Sequence, residues 1–89
     1  MGHISKDKNN QSRINRLIGQ LQSVRQMMDD GADCYKIIQQ MSATKGALNS
    51  LIQHHLEGHI KEHLLEEKNE TQREKAGEEL ISVMRSYFK

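Results

Sequence analysis

Four of the five histidines fall within ten residues, HHLEGHIKEH (54–63). His55, His59 and His63 are each four apart, and residues four apart stack on one face of an α-helix. Imidazole nitrogens on such a face are ligands for late transition-metal ions. Two or three of them do not complete a coordination shell, so further donors must come from elsewhere. The single cysteine, Cys34, is one. At about 100° per residue, His59 falls roughly 20° from Cys34 around a helix axis, and His63 roughly 20° to the other side. His54 falls roughly 160° from Cys34 and is expected in solvent. His3, beside the N-terminal amine, is a further candidate nitrogen. One thiolate with several nitrogens is a poor match to Cu(I) and suits Ni(II), Co(II) or Zn(II).

A single helix cannot bring these groups to one ion. At 1.5 Å per residue, Cys34 and His59 stand roughly 37 Å apart along it. Two copies of the helix, paired antiparallel, place Cys34 of one against His59 and His63 of the other. Such an isologous pairing makes two equivalent sites. The shared face carries Ile38, Met41, Leu48, Ile52 and Leu56, so one stripe supplies both a dimer seam and a ligand set. Ala43, Gly46, Ala47 and Ser50 near its middle are small enough to ease close approach. Lys45 lies on the same stripe and must reach outwards or face a ligand.

The elements that would hold these residues are helices. Proline is absent, and Gln, Glu, Lys, Leu and Met are abundant. Ile14, Leu17, Ile18, Leu21, Val24 and Met28 recur at three- and four-residue steps, predicting a first helix from about Lys6 to Asp29. DDGAD (29–33) stops it with a glycine and offers Asp33 as the next N-cap. The second helix runs from Cys34 towards residue 66, through Gly46 and Gly58. EEKNET (66–71) reads as a polar turn with Asn69 or Thr71 as cap. Leu80, Ile81, Met84, Tyr87 and Phe88 predict a short third helix. No segment alternates with period two, so the expected class is all-α, in one domain over residues 1–89.

Composition narrows the function. Only 35% of the 89 residues are apolar, with one Phe, two Tyr and no Trp. A lone chain of this kind buries too little apolar surface to offset its ordering entropy, which predicts oligomerisation. One cysteine excludes an internal disulfide and fits a reducing compartment. No signal-peptide pattern opens the chain and no apolar run spans a membrane, so the expected location is cytoplasmic. Residues 1–28 hold five Lys or Arg against Asp7 alone, and residues 57–79 hold eight Glu against four Lys or Arg. A basic first segment attracts phosphate. No nucleophile–base pairing, phosphate loop or cofactor motif points to an enzyme.

Three stretches, RINRLIGQL (13–21), DCYKIIQQMSATKGALNSLI (33–52) and GHIKEH (58–63), resemble the CsoR/RcnR family of all-helical bacterial repressors. The likeness covers essentially the whole chain. Members share a Cys, a His about 25 residues on, and a third ligand four later. Copper sensors place Cys at that third position, where this chain has His63. Formaldehyde sensors carry proline at position two, where this chain has Gly2. The set His3, Cys34, His59 and His63 is similar to the nickel/cobalt-sensing branch.

The resemblance implies a three-helix protomer, an antiparallel four-helix-bundle dimer core, and a homotetramer built as a dimer of dimers. It implies a metal-free form that binds operator DNA and represses a metal exporter gene, and a Ni(II)- or Co(II)-bound form that releases it. Arg13 and Arg16 correspond to the family's DNA contacts, with Lys8 and Lys45 as further candidates. A second-helix basic position of relatives is Gln53 here, which removes part of the phosphate-binding surface. Glu79 resembles a carboxylate that orients a ligating imidazole, and Tyr35 is a looser candidate for that role. Sensing of formaldehyde, zinc or copper on the same fold is an alternative, as is a metal-storing helical dimer that never meets DNA.

Overall fold

The structure, a computed structural model, describes residues 7–88. Three α-helices form it: α1 (Lys8–Asp29), α2 (Cys34–His59) and α3 (Glu70–Tyr87), with a π-helical segment, Ile60–Leu65, continuing α2. The class is all-α, as the periodicity predicts. The chain divides into two compact units, Met1–His55 and Leu56–Lys89.

In the first unit, a carboxylate sets the start of α1. Asp7 accepts from the Asn9 N–H at 2.7 Å, and the helix begins one residue later rather than near Lys6. Its end is a Schellman turn. The Ala32 N–H donates to the Met27 carbonyl at 2.9 Å and the Gly31 N–H to that of Met28 at 3.1 Å. Gly31 sits at φ +69°, the left-handed region a side chain resists. Asp33 then occupies the N-cap position, its carbonyl accepting from Ile37 N–H at 3.1 Å.

Burial shows how the two helices use their faces. On α1 the buried or half-buried side chains are Asn10, Arg13, Leu17, Gln20, Val24 and Met27; on α2 they include Ile37, Gln40, Thr44, Ala47, Leu51 and His54. Both sets advance by alternating steps of three and four, the period of a two-helix seam. Reversed by the turn, Met27 comes level with Ile37 and Arg13 with Leu51. A bond from the Arg13 guanidinium to Ser50 Oγ at 3.3 Å fixes that register. Half of the seam is polar. Thr44, buried, donates its hydroxyl to the Gln40 carbonyl at 2.8 Å, whereas Gln20 Oε1 is buried with no bonded partner.

The α2 stripe expected from sequence is therefore not the one turned to α1. Ile38 is 54% exposed, and Met41 and Leu48 are exposed as well, while Ile52 and Leu56 are half-buried. Helix α1 divides likewise, with Leu17 and Val24 turned inward and Ile14, Ile18, Leu21 and Met28 outward. The small residues do not line the expected face either. Ala47 lies in the α1 seam and Ser50 bonds to Arg13, because both project more than about 100° from Cys34.

In the second unit, the segment after His59 keeps its helical course but widens. The Glu66 N–H reaches back five residues to the Lys61 carbonyl at 3.0 Å, the π pattern. Leu64 packs close to Gly77 of α3: a Cβ on that glycine would lie 3.6 Å from Leu64 Cδ2. Helix α3 is longer than the expected short one. Asn69 caps it, accepting from the Gln72 N–H at 3.0 Å. Its first two turns are mostly charged and polar residues of good helix propensity, with Ala76 the buried contact. Hydrophobic periodicity cannot register such a stretch.

Candidate metal centre

The π segment bears directly on the histidines. His59 closes α2 and His63 lies in the middle of the widened turn. Their rings remain neighbours, with centroids 5.0 Å apart and planes inclined at 45°. Both are half-buried. They line a cavity of about 430 Å³ together with Glu67, Gln72, Lys75, Ala76 and Glu79.

The position of the His59 ring is set by α3. Its Nε2 stands 3.4 Å from the Ala76 carbonyl oxygen. A carbonyl only accepts, so this contact favours the tautomer with the proton on Nε2 and leaves the Nδ1 lone pair for another partner. That is the usual way a ligating imidazole is oriented, one nitrogen tied and the other offered. Glu79 lines the same cavity, but the hydrogen-bond partner of His59 Nε2 is the Ala76 backbone carbonyl. His63 Nε2 lies 3.9 Å from Glu62 Oε1.

Cys34 opens α2 and is exposed, as is Tyr35 beside it. Among the described residues of one chain, no three His, Cys, Asp or Glu side chains are arranged to hold one ion. His59, His63 and Glu79 thus line one cavity, and Cys34 is not among its lining residues. His3 lies outside the described residues. His54, expected in solvent, is half-buried, because the side of α2 opposite Cys34 is where α1 packs; His55 is exposed.

Glu67 and Lys75 were not singled out by sequence. A signal for the first existed: the four-residue step through His55, His59 and His63 lands next on Glu67. It is hidden because the α-helical register ends before that point, and the residue reads as part of a polar turn. Nothing in the sequence marks Lys75 among the charged residues of early α3.

The basic residues are distributed along the first unit. Lys8 is the first residue of α1 and is exposed, and so are Arg16 on α1 and Lys45 on α2. Arg13 differs, being half-buried at the seam and bonded to Ser50. Gln53 is exposed. No helix of the described residues is long and apolar enough to cross a membrane.

Comparison with known proteins agrees with this architecture. A family model described as metal-sensitive transcriptional repressor matches residues 6–86. The transcriptional repressor RcnR of Citrobacter koseri is 32% identical over 90 residues, and a protein of the bioA 5′ region in Serratia marcescens is 37% identical over 91, each match spanning all of both chains. A solved variant of the formaldehyde-responsive regulator FrmR from Salmonella enterica serovar Typhimurium superposes with a TM-score of 0.84 at 31% identity, over 90% of this chain and 91% of that one. The chain belongs to the metal-sensitive transcriptional repressors, the CsoR/RcnR family that its motifs resemble.

Proposed function

We propose that this repressor responds to Ni(II) or Co(II), binding operator DNA when metal-free and releasing it when the ion is bound, so that an exporter gene is expressed. The observation that carries the reading is the imidazole pair, His59 and His63, with ring centroids 5.0 Å apart on one cavity wall and the Ala76 carbonyl beside His59 Nε2. The pair fits a borderline divalent cation. In a homodimer the exposed Cys34 of one chain supplies thiolate to the pair on the other, and His3 adds a nitrogen. The bound ion would tie the two subunits together at each such site. Nitrogen-rich donors with one sulfur suit Ni(II) and Co(II), and also Zn(II).

The chain's own residues define the rest of the device. Glu79, on the cavity wall, steadies an imidazole, and Tyr35 flanks the thiol. Arg13, Arg16, Lys8 and Lys45 face the DNA backbone, where contacts position the protein and DNA shape contributes specificity. Apolar residues left uncovered on α1, α2 and α3 are closed by subunit pairing, first as a dimer and then as a tetramer, in the cytoplasm. Coupling between the sites is reciprocal, so operator DNA weakens metal binding by the factor by which metal weakens DNA binding.

A second reading is formaldehyde sensing, favoured by the structural match to a formaldehyde-responsive regulator together with the exposed Cys34 thiol. Gly2 in place of proline weighs against it. One experiment separates the readings. A duplex selected from a random pool by the metal-free protein is titrated separately with Ni(II), Co(II), Zn(II), Cu(I) and formaldehyde. Release by Ni(II) or Co(II) at the lowest free concentration relative to cellular supply is the expected result. Release by formaldehyde alone would replace the proposal, and failure to select any duplex would favour a metal-storing dimer.

A further inference from the structure

Arg13 and Arg16 are three residues apart on α1, yet their surroundings differ. Arg16 is exposed, while Arg13 occupies a half-buried seam position, level with Leu51 and one step along the stripe from buried Asn10. Its guanidinium donates to Ser50 Oγ at 3.3 Å, across 37 residues of sequence. A guanidinium carries five N–H donors in a fixed plane. The bond to Ser50 engages one of them and restricts where that plane can lie. A long side chain otherwise loses rotamer freedom when it engages a phosphate.

We infer that Ser50 is a positioning residue for DNA binding, holding the Arg13 guanidinium from α2 in the orientation that meets a backbone phosphate. The inference rests on the repressor reading above, and within it assigns a role to a side chain that carries no charge and meets no DNA. Ser50 also ties the surface of α1 to α2, the helix that carries Cys34 and His59 at its ends.

The test is a double-mutant cycle with the full chain in its metal-free form, against the duplex selected by the wild type, at several salt concentrations. Ser50→Ala should weaken binding about three- to tenfold, the range expected for losing one hydrogen bond and the order it imposes. The salt slope should stay at the wild-type value, because no phosphate contact loses its charge. Arg13→Ala should weaken binding and lower the slope by about 1. In the Arg13→Ala background, Ser50→Ala should change nothing further, and Ser50→Thr, which keeps the hydroxyl, should bind as wild type.

A purely structural role for Ser50 would make the two losses add, and that outcome overturns the inference. So does wild-type affinity for Ser50→Ala while Arg13→Ala is impaired. An Arg13→Ala variant with unchanged affinity and slope removes Arg13 from the DNA surface and the inference with it. If the wild type binds no duplex, the repressor reading itself fails, which is a different result from any of these three.

Discussion

At the scale of single residues, the candidate site depends on side chains that differ in how they are held. His59 is oriented by a backbone carbonyl on α3, and backbone moves less than a side chain would. Cys34, by contrast, is exposed at a helix start. Its replacement should therefore perturb ligation and little else. Cys34→Ala is expected to fold and bind operator DNA but to ignore Ni(II) and Co(II), giving a permanently repressing protein. In Co(II) titrations the near-ultraviolet thiolate-to-metal absorption should vanish with the same substitution. Loss of DNA binding with metal affinity intact would show that the thiol belongs to the DNA-binding machinery instead.

At the scale of elements, the turns are as informative as the helices. Gly31 at φ +69° closes α1, its N–H donating to the Met28 carbonyl and that of Ala32 to the Met27 carbonyl. A side chain there is strained even though the space is open. Gly31→Ala should lower stability by about 1–2 kcal/mol, with Gly31→Asn falling between the two; urea midpoints measure both. An unchanged midpoint would mean that the turn is not part of the cooperative unit.

Much of this level was legible in advance. DDGAD announces both the stop and the restart, Asn69 is one of the two expected caps and does cap α3, and His59 and His63 share a face as their spacing predicts. Two features were not legible. Period counting merged two faces of α1 into one stripe, because Ile14 and Leu17 both fit a three–four step although one faces outward, and on α2 it picked out the more apolar face rather than the one turned to α1. The polar seam positions Asn10, Arg13, Gln20, Gln40, Thr44 and His54 carry no hydrophobic signal at all. The π widening was equally silent, since it changes hydrogen-bond reach without needing a distinctive residue type.

At the scale of the whole molecule, the balance of burial is unusual for a chain meant to fold alone. Val24 and Ala76 are the buried apolar residues among the described ones, and each is still 6% exposed. Ile18, Leu21, Ile38, Ile81, Met84 and Phe88 remain exposed, Phe88 at 74%. A domain of this size is marginal even with a complete core. If subunit pairing supplies the missing burial, the melting temperature must climb with protein concentration, since association favours the folded form by mass action. Circular dichroism melts over a hundredfold range of concentration read this directly. A constant melting temperature, with a monomer by sedimentation, would leave the shared metal site without its second subunit.

Between Ile60 and Leu65 the backbone is wound at a broader gauge than the helix it extends. A broader coil stores surplus contour: it takes more chain to complete each circuit. Excising one residue there would let the coil tighten into an α turn with no break in helicity and leave everything downstream facing nearly as before, because the wide turn spends one extra residue on the same circuit. A one-residue deletion that spares His63 is thus the change of length this stretch should bear with its helix intact, whereas the ligands themselves allow no such latitude.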